Sequence, residues 1–147
     1  RPFFVKIQTP FKRHLSIPRK IYSDSIVIHN CKIISDPPKT PIKFTSAIEL
    51  KISTENEIQS TMKNLRILLN APVVVYEKSG KRSEKYISDL KYKKTSKNSF
   101  TLFIKAEGGL PVKRFVDGDD VTPGIRQIIN DKCTCITFDF LEIDLKW

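Results

Sequence analysis

The sequence predicts an α+β fold, a mixed, largely antiparallel sheet with two flanking helices. Three observations predict it. Apolar and polar residues alternate through residues 42–52, 100–106 and 133–145, the period of strands with one buried face. Two further alternating runs, residues 83–93 and 99–105, are joined by only five residues, Lys94 to Asn98, which points to an antiparallel hairpin. Apolar residues at helical spacing are confined to two stretches, residues 53–69 and 122–130.

Taken in order, residues 1–8 read as the start of a strand, with Phe4, Val5 and Ile7 available for its two faces. A basic turn follows through Lys12, Arg13 and His14. His29 lies in an apolar run, Ile26 to Ile34, as an outward-facing strand residue. A proline-rich connector, Asp36 to Pro41, leads into the strand ending at Ile52. Ser53 or Thr54 can cap the first helix, and Glu57 stands three residues after Thr54, at capping-box spacing. Ile58, Met62, Leu65 and Leu69 give that helix one apolar face, and Asn70-Ala71-Pro72 ends it. Val73 to Glu77 is a β-branched strand followed by a basic turn, Lys78 to Arg82. Pro123 stands near the start of the second helix, whose apolar positions are Ile125, Ile128 and Ile129. Cys133 and Cys135 fall on one face of the last strand and read as buried, reduced thiols.

The chain of 147 residues is long enough for one domain with a sizeable core, and residues 1–147 are expected to form one. Three cysteines and no visible secretion signal argue against a disulfide framework and for a reducing, cytoplasmic setting. No apolar run reaches the length of a membrane span, so no membrane partner is expected. Lys and Arg number 26 against 16 acidic residues, a net charge of +10. Such an excess favours a polyanionic partner, nucleic acid before an anionic membrane surface, though a basic protein can also simply be soluble. Two regions concentrate the charge. Residues 1–23 carry Lys6, Lys12, Arg13, Arg19 and Lys20 and no acid. Lys78 to Lys97 holds eight basic residues, Lys78, Lys81 and Arg82 among them, against Glu84 and Asp89, interleaved with Tyr86 and Tyr92. Phosphate contact and base stacking suit both; a charged, solvated edge is the other reading.

The stretch from Glu107 to Gly124 organises the rest. By its residues alone it is a strand end, a sharp turn at Gly108-Gly109 and a lysine, Lys113, just beyond a rigid strand. Asp117, Asp119 and Asp120 could hold a metal for a nuclease, but aspartates beside a glycine mark a turn more often, and no metal site is expected. The string Glu107-Gly108-Gly109-Leu110-Pro111-Val112-Lys113, followed by Gly118-Asp119 and Thr122-Pro123, resembles the C-terminal signature of the archaeal and eukaryotic tRNA pseudouridine-54/55 synthases. Arg1-Pro2-Phe3 and the basic segment after it resemble that family's Gly-Arg-Pro-Phe region. Pro111 replaces its usual tyrosine and Arg114 its usual glutamate.

The resemblance implies a pseudouridine-synthase-like fold, a tRNA substrate and a cofactor-free isomerisation of uridine, in which an aspartate attacks the nucleoside and the base is released, rotated and rejoined through carbon. That aspartate is expected before Arg1 or on a partner chain, since the first acidic residue here is Asp24. Lys113 is the basic residue expected to pair with it. Where the family carries a base-facing tyrosine, this chain places Thr45, or Phe44 after a one-residue shift; Phe44 can stack on a nucleobase but has no hydroxyl to act as a general base. Gly109, Leu110, Ile125 and Ile128 are the expected pocket residues. Lys12, Arg13, Arg19, Lys20, Lys78, Lys81, Arg82 and Arg114 are the expected RNA contacts. The alternative is a catalytically inactive RNA-binding module that keeps the synthase fold.

Overall fold

A computed structural model describes Val5, residues 18–34, Asp36, residues 39–40 and residues 42–146. The strand expected at the N-terminus, Lys12, Arg13 and His14 lie outside the described residues. The chain divides into two compact units, Arg1–Ile42 and Lys43–Trp147. In the first, β1 (Lys20–Ser23) and β2 (Ile26–His29) form an antiparallel hairpin, turned at Asp24-Ser25. Its strands are exposed except for half-buried Ile28, and His29 is exposed. Lys20 lies 5.2 Å from the centroid of the Tyr22 ring, a cation–π contact.

The second unit is the α+β body. Its main sheet has the order β6-β7-β3-β9, antiparallel throughout, with β3 (Lys43–Thr54), β6 (Ile87–Ser96), β7 (Ser99–Glu107) and β9 (Cys133–Lys146). The alternation in β3 decides which face is buried. Ile48, Leu50 and Ile52 stand opposite Ile104, Leu102 and Phe100 of β7, and all six are buried. A second sheet, β5-β4-β8, consists of β4 (Val73–Tyr76), β5 (Arg82–Lys85) and the short β8 (Val121–Thr122). The core joins these sheets to the helices through Met62, Leu65, Leu68, Val73, Val75, Phe115, Val116 and Ile125. Burial of each large apolar side chain there contributes about 1.5–3 kcal/mol.

Three helices are present among the described residues rather than two. The first begins later than its apolar pattern suggested: Ser53 and Thr54 are the end of β3, and the helix runs Ser60–Leu69 as a 3₁₀ helix. The Thr54 hydroxyl donates instead to the Asn56 carbonyl at 2.8 Å. Three residues per turn put Met62, Leu65 and Leu68 on the buried line, so Leu69 is 43% exposed. The run 83–93 is also not one strand. It breaks at Tyr86, so that β5 pairs with β4 and β6 pairs with β7. The unexpected helix is α1 (Val112–Asp117), where Val112, Phe115 and Val116 are buried at i, i+3, i+4 spacing. It ends on Gly118 in the left-handed region, and α2 (Ile125–Ile129) follows after β8. A Cβ on Gly124 would come within 2.6 Å of Gly118 Cα, so the start of α2 can meet the end of α1 only as glycine.

Candidate functional site

The site is built where β7 runs out. Glu107 is the last residue of β7, and Thr45 of β3 stands between it and Asp144 of β9 in register. These three share the sheet face opposite the core. Beside them Lys105 Nζ bonds Asp144 Oδ2 at 2.6 Å, a bridge from β7 to β9 across β3. That bond and its charge raise the Lys105 pKa. Thr45 is buried and Phe44 half-buried.

The turn at Gly108 is closed by Phe44 in two ways. The Gly108 N–H donates to the Phe44 carbonyl at 2.7 Å. The Phe44 ring also lies flat against Gly108, because a Cβ there would sit 2.5–2.6 Å from three ring carbons. One ring face is therefore covered by backbone. Gly109 follows at φ +88, a conformation an L side chain rarely takes. Leu110 then drops into the core, and Pro111 precedes the first turn of α1.

Lys113 is the second residue of α1 and is exposed, with no ion pair to it among the described residues. Its charge acts on Cys135, partly offsetting the burial that raises that thiol's pKa. Burial raises Cys133 further, to about 11, so both thiols on this face of β9 stay protonated at neutral pH. Arg114 is turned inward. Nη2 donates to the Tyr76 carbonyl at 2.6 Å, Nε to the Asp119 carbonyl at 3.1 Å, and the Asp120 carboxylate lies 3.4 Å away. It thus fastens α1 to β4 and to the loop before β8, and draws Asp119 and Asp120 to itself. No group of three His, Cys, Asp or Glu side chains suited to a metal occurs among the described residues.

The other expected site residues divide in the same way. Gly109 is exposed at the turn, while Ile125 is fully buried and Ile128 packs on the core's margin. Arg19, Lys20, Lys78, Lys81 and Arg82 are exposed, Arg82 sharing an ion pair with Glu84 at 2.8 Å. The structure thus gathers Phe44, Thr45, Gly108, Gly109 and Leu110 at one end of the sheet, with Lys113 four residues after Gly109.

One residue at this turn carried no signal in the sequence. Lys85, the last residue of β5, donates from Nζ to the Gly108 carbonyl at 2.7 Å. It reads as one more lysine in a basic run. α1 did have a signal, the spacing of Val112, Phe115 and Val116, which the adjacent glycines masked.

The family model described as Pus10, C-terminal, matches residues 1–144, and the chain belongs to that family. It is 53% identical over 147 residues to the tRNA pseudouridine synthase Pus10 of Nitrosopumilus maritimus (strain SCM1), covering 99% of this chain and 38% of that protein. To the protein of the same name from Cenarchaeum symbiosum (strain A) it is 32% identical, over 99% of this chain and 36% of the relative. To that of Methanocaldococcus jannaschii it is 30% identical, over 97% and 36%. The chain therefore spans well under half the length of the relatives it matches.

Proposed function

We propose that this chain is the C-terminal part of a tRNA pseudouridine synthase, acting in the cytoplasm on a uridine of the tRNA T arm. The observation that carries the reading is the family match over residues 1–144, with relatives named as tRNA pseudouridine synthases along nearly the whole chain. No helix among the described residues is long and apolar enough to cross a membrane, and the surface charge suits a polyanion.

The chemistry assigns roles residue by residue. The nucleophilic aspartate belongs to the remainder of the longer protein or to a partner chain. Lys113, exposed on the first turn of α1, holds that carboxylate ionised and oriented, as a cation beside it must. Phe44 offers the target base its free ring face, the other being fixed on Gly108. Thr45, the next residue of β3, faces the other side of the sheet. Gly109 and Leu110 shape the pocket wall, with Ile125 and Ile128 supporting it from the core. Arg19, Lys20, Lys78, Lys81 and Arg82 contact the tRNA backbone, together with Lys12 and Arg13. A base worked on within folded RNA must be unstacked and turned into such a pocket.

The test is conversion of uridine to pseudouridine in tRNA by the full-length protein. Wild type is expected to convert its target, and Lys113→Ala to lose roughly 10²–10³-fold, the usual cost of one electrostatic partner. A wild type that binds tRNA but converts nothing would instead establish the inactive RNA-binding module. One observation favours that second reading: Thr45 or Phe44 stands where the resemblance places a tyrosine, and Phe44 has no hydroxyl to act as a base.

A further inference from the structure

We infer that Lys85 is a positioning residue for this reaction, fixing the glycine turn from which Lys113 is presented. The inference rests on the synthase reading. Lys85 stands in a basic run, yet it is half-buried where Lys81, Arg82, Lys91 and Lys93 are exposed. Its ammonium is aimed at a backbone oxygen, Gly108 O, at 2.7 Å. β7 ends one residue earlier, so that carbonyl has left the ladder and needs a donor. An ammonium supplies a charge-assisted bond, about twice the strength of a neutral one.

The location of this bond gives it consequence. The Gly108 N–H is held by Phe44 from β3, and the Gly108 carbonyl by Lys85 from β5. The turn is therefore pinned between the two sheets. Downstream, Leu110 and Val112 are seated in the core, which leaves Gly109, with no side chain and φ +88, as the adjustable link. Lys85 fills the space over that link: its Nζ would be 3.3 Å from a Cβ on Gly109. Removing the ammonium frees the Gly108 carbonyl, and the peptide between Gly108 and Gly109 can rotate. The turn that leads into α1 then loses one of its two backbone contacts, and the placement of Lys113 against a substrate loosens with it. A displacement of about 1 Å at a catalytic group can cost about 10²-fold in rate.

Lys85 thus acts through Lys113, which separates it from the exposed lysines that would contact RNA directly. The experiment compares full-length wild type, Lys85→Met, Lys113→Ala and the double variant, measuring single-turnover conversion of tRNA uridine and tRNA Kd. Lys85→Met is expected to lower the single-turnover rate about tenfold or more with Kd unchanged within about twofold. In the Lys113→Ala background it is expected to cost little more, because the group it positions is gone. Lys85→Arg should recover most of the rate. Lys85→Gln keeps a neutral donor; should Lys85→Met not fold, it carries the same comparison and is expected to fall between the two. A rate within twofold of wild type overturns the inference. So does a loss that appears in Kd rather than rate, which would make Lys85 a phosphate contact, or a loss fully additive with Lys113→Ala. A wild type that converts no uridine overturns the synthase reading itself, and the inference falls with it.

Discussion

Gly108 and Gly109 are adjacent, chemically identical and required for different reasons. Gly109 is needed for its backbone angle, φ +88, whereas Gly108 is needed because the Phe44 ring occupies the space of a side chain. Gly108→Ala should therefore destabilise by overpacking, about 1–3 kcal/mol, measured as the shift in denaturant midpoint at constant m. Phe44→Ala removes the obstacle, so the double variant should lose clearly less than the sum of the two single changes. Strict additivity would mean that the ring does not define the glycine. The turn itself was legible from the glycine pair, but its division of labour was not. Sequence shows that a side chain is missing, and only the fold shows what fills its place. Lys85 was hidden for the same reason: its distinction from neighbouring lysines is one backbone oxygen presented by a residue 23 positions later.

Among the elements, strands were legible and helices less so. Alternation fixed β3, β7 and β9 because one face of each had to be apolar for the sheet to cover a core. The hairpin of β6 and β7 followed from its short connection. The helix before β4 was foreseen, but with the wrong period. Ile58, Met62 and Leu65 fit a turn of 3.6 residues, and extending that period selects Leu69; a 3₁₀ turn selects Leu68 instead. The two leucines are neighbours with opposite fates, which makes a sharp comparison. Leu68→Ala should cost about 2–5 kcal/mol as a core truncation, and Leu69→Ala less than about 0.5 kcal/mol as a surface change. Equal costs in chemical denaturation would contradict the three-residue repeat. α1 was missed although its spacing was present, since six residues after two glycines offer too short a window for periodicity to outweigh a turn signal. Exposure of Lys113 survives that correction, because its place in α1 lies away from the buried line of Val112, Phe115 and Val116.

At the scale of the second unit, the sheet order among the described residues leaves β9 with one unpaired edge, and its composition is not that of an edge built to stay free. Edge strands are usually short, charged or interrupted by proline. β9 runs 14 residues without proline, and among the described residues Ile136, Phe138, Phe140 and Leu141 are 59%, 37%, 47% and 58% exposed. Its register against β3 skips Ile136 and Leu141, so these two are the extra residues of bulges. Phe138 and Phe140 lie on the same side of the strand and meet edge to face, with ring centroids 5.9 Å apart. The alternating charges Asp139, Glu142 and Asp144 face the opposite side and leave the aromatic side without a guard. Produced as these 147 residues alone, the chain should therefore associate as its concentration rises, with sedimentation velocity showing a concentration-dependent increase in mass. Phe140→Lys places a charge in the middle of that side, where burying it against a second chain is costly; Phe140 stands opposite Ile48 in register but is itself 47% exposed. The substitution should shift the chain toward monomer with little change in unfolding midpoint. A wild-type chain that remains monomeric across the same concentrations would show that the two bulges already suffice to keep this edge unpaired.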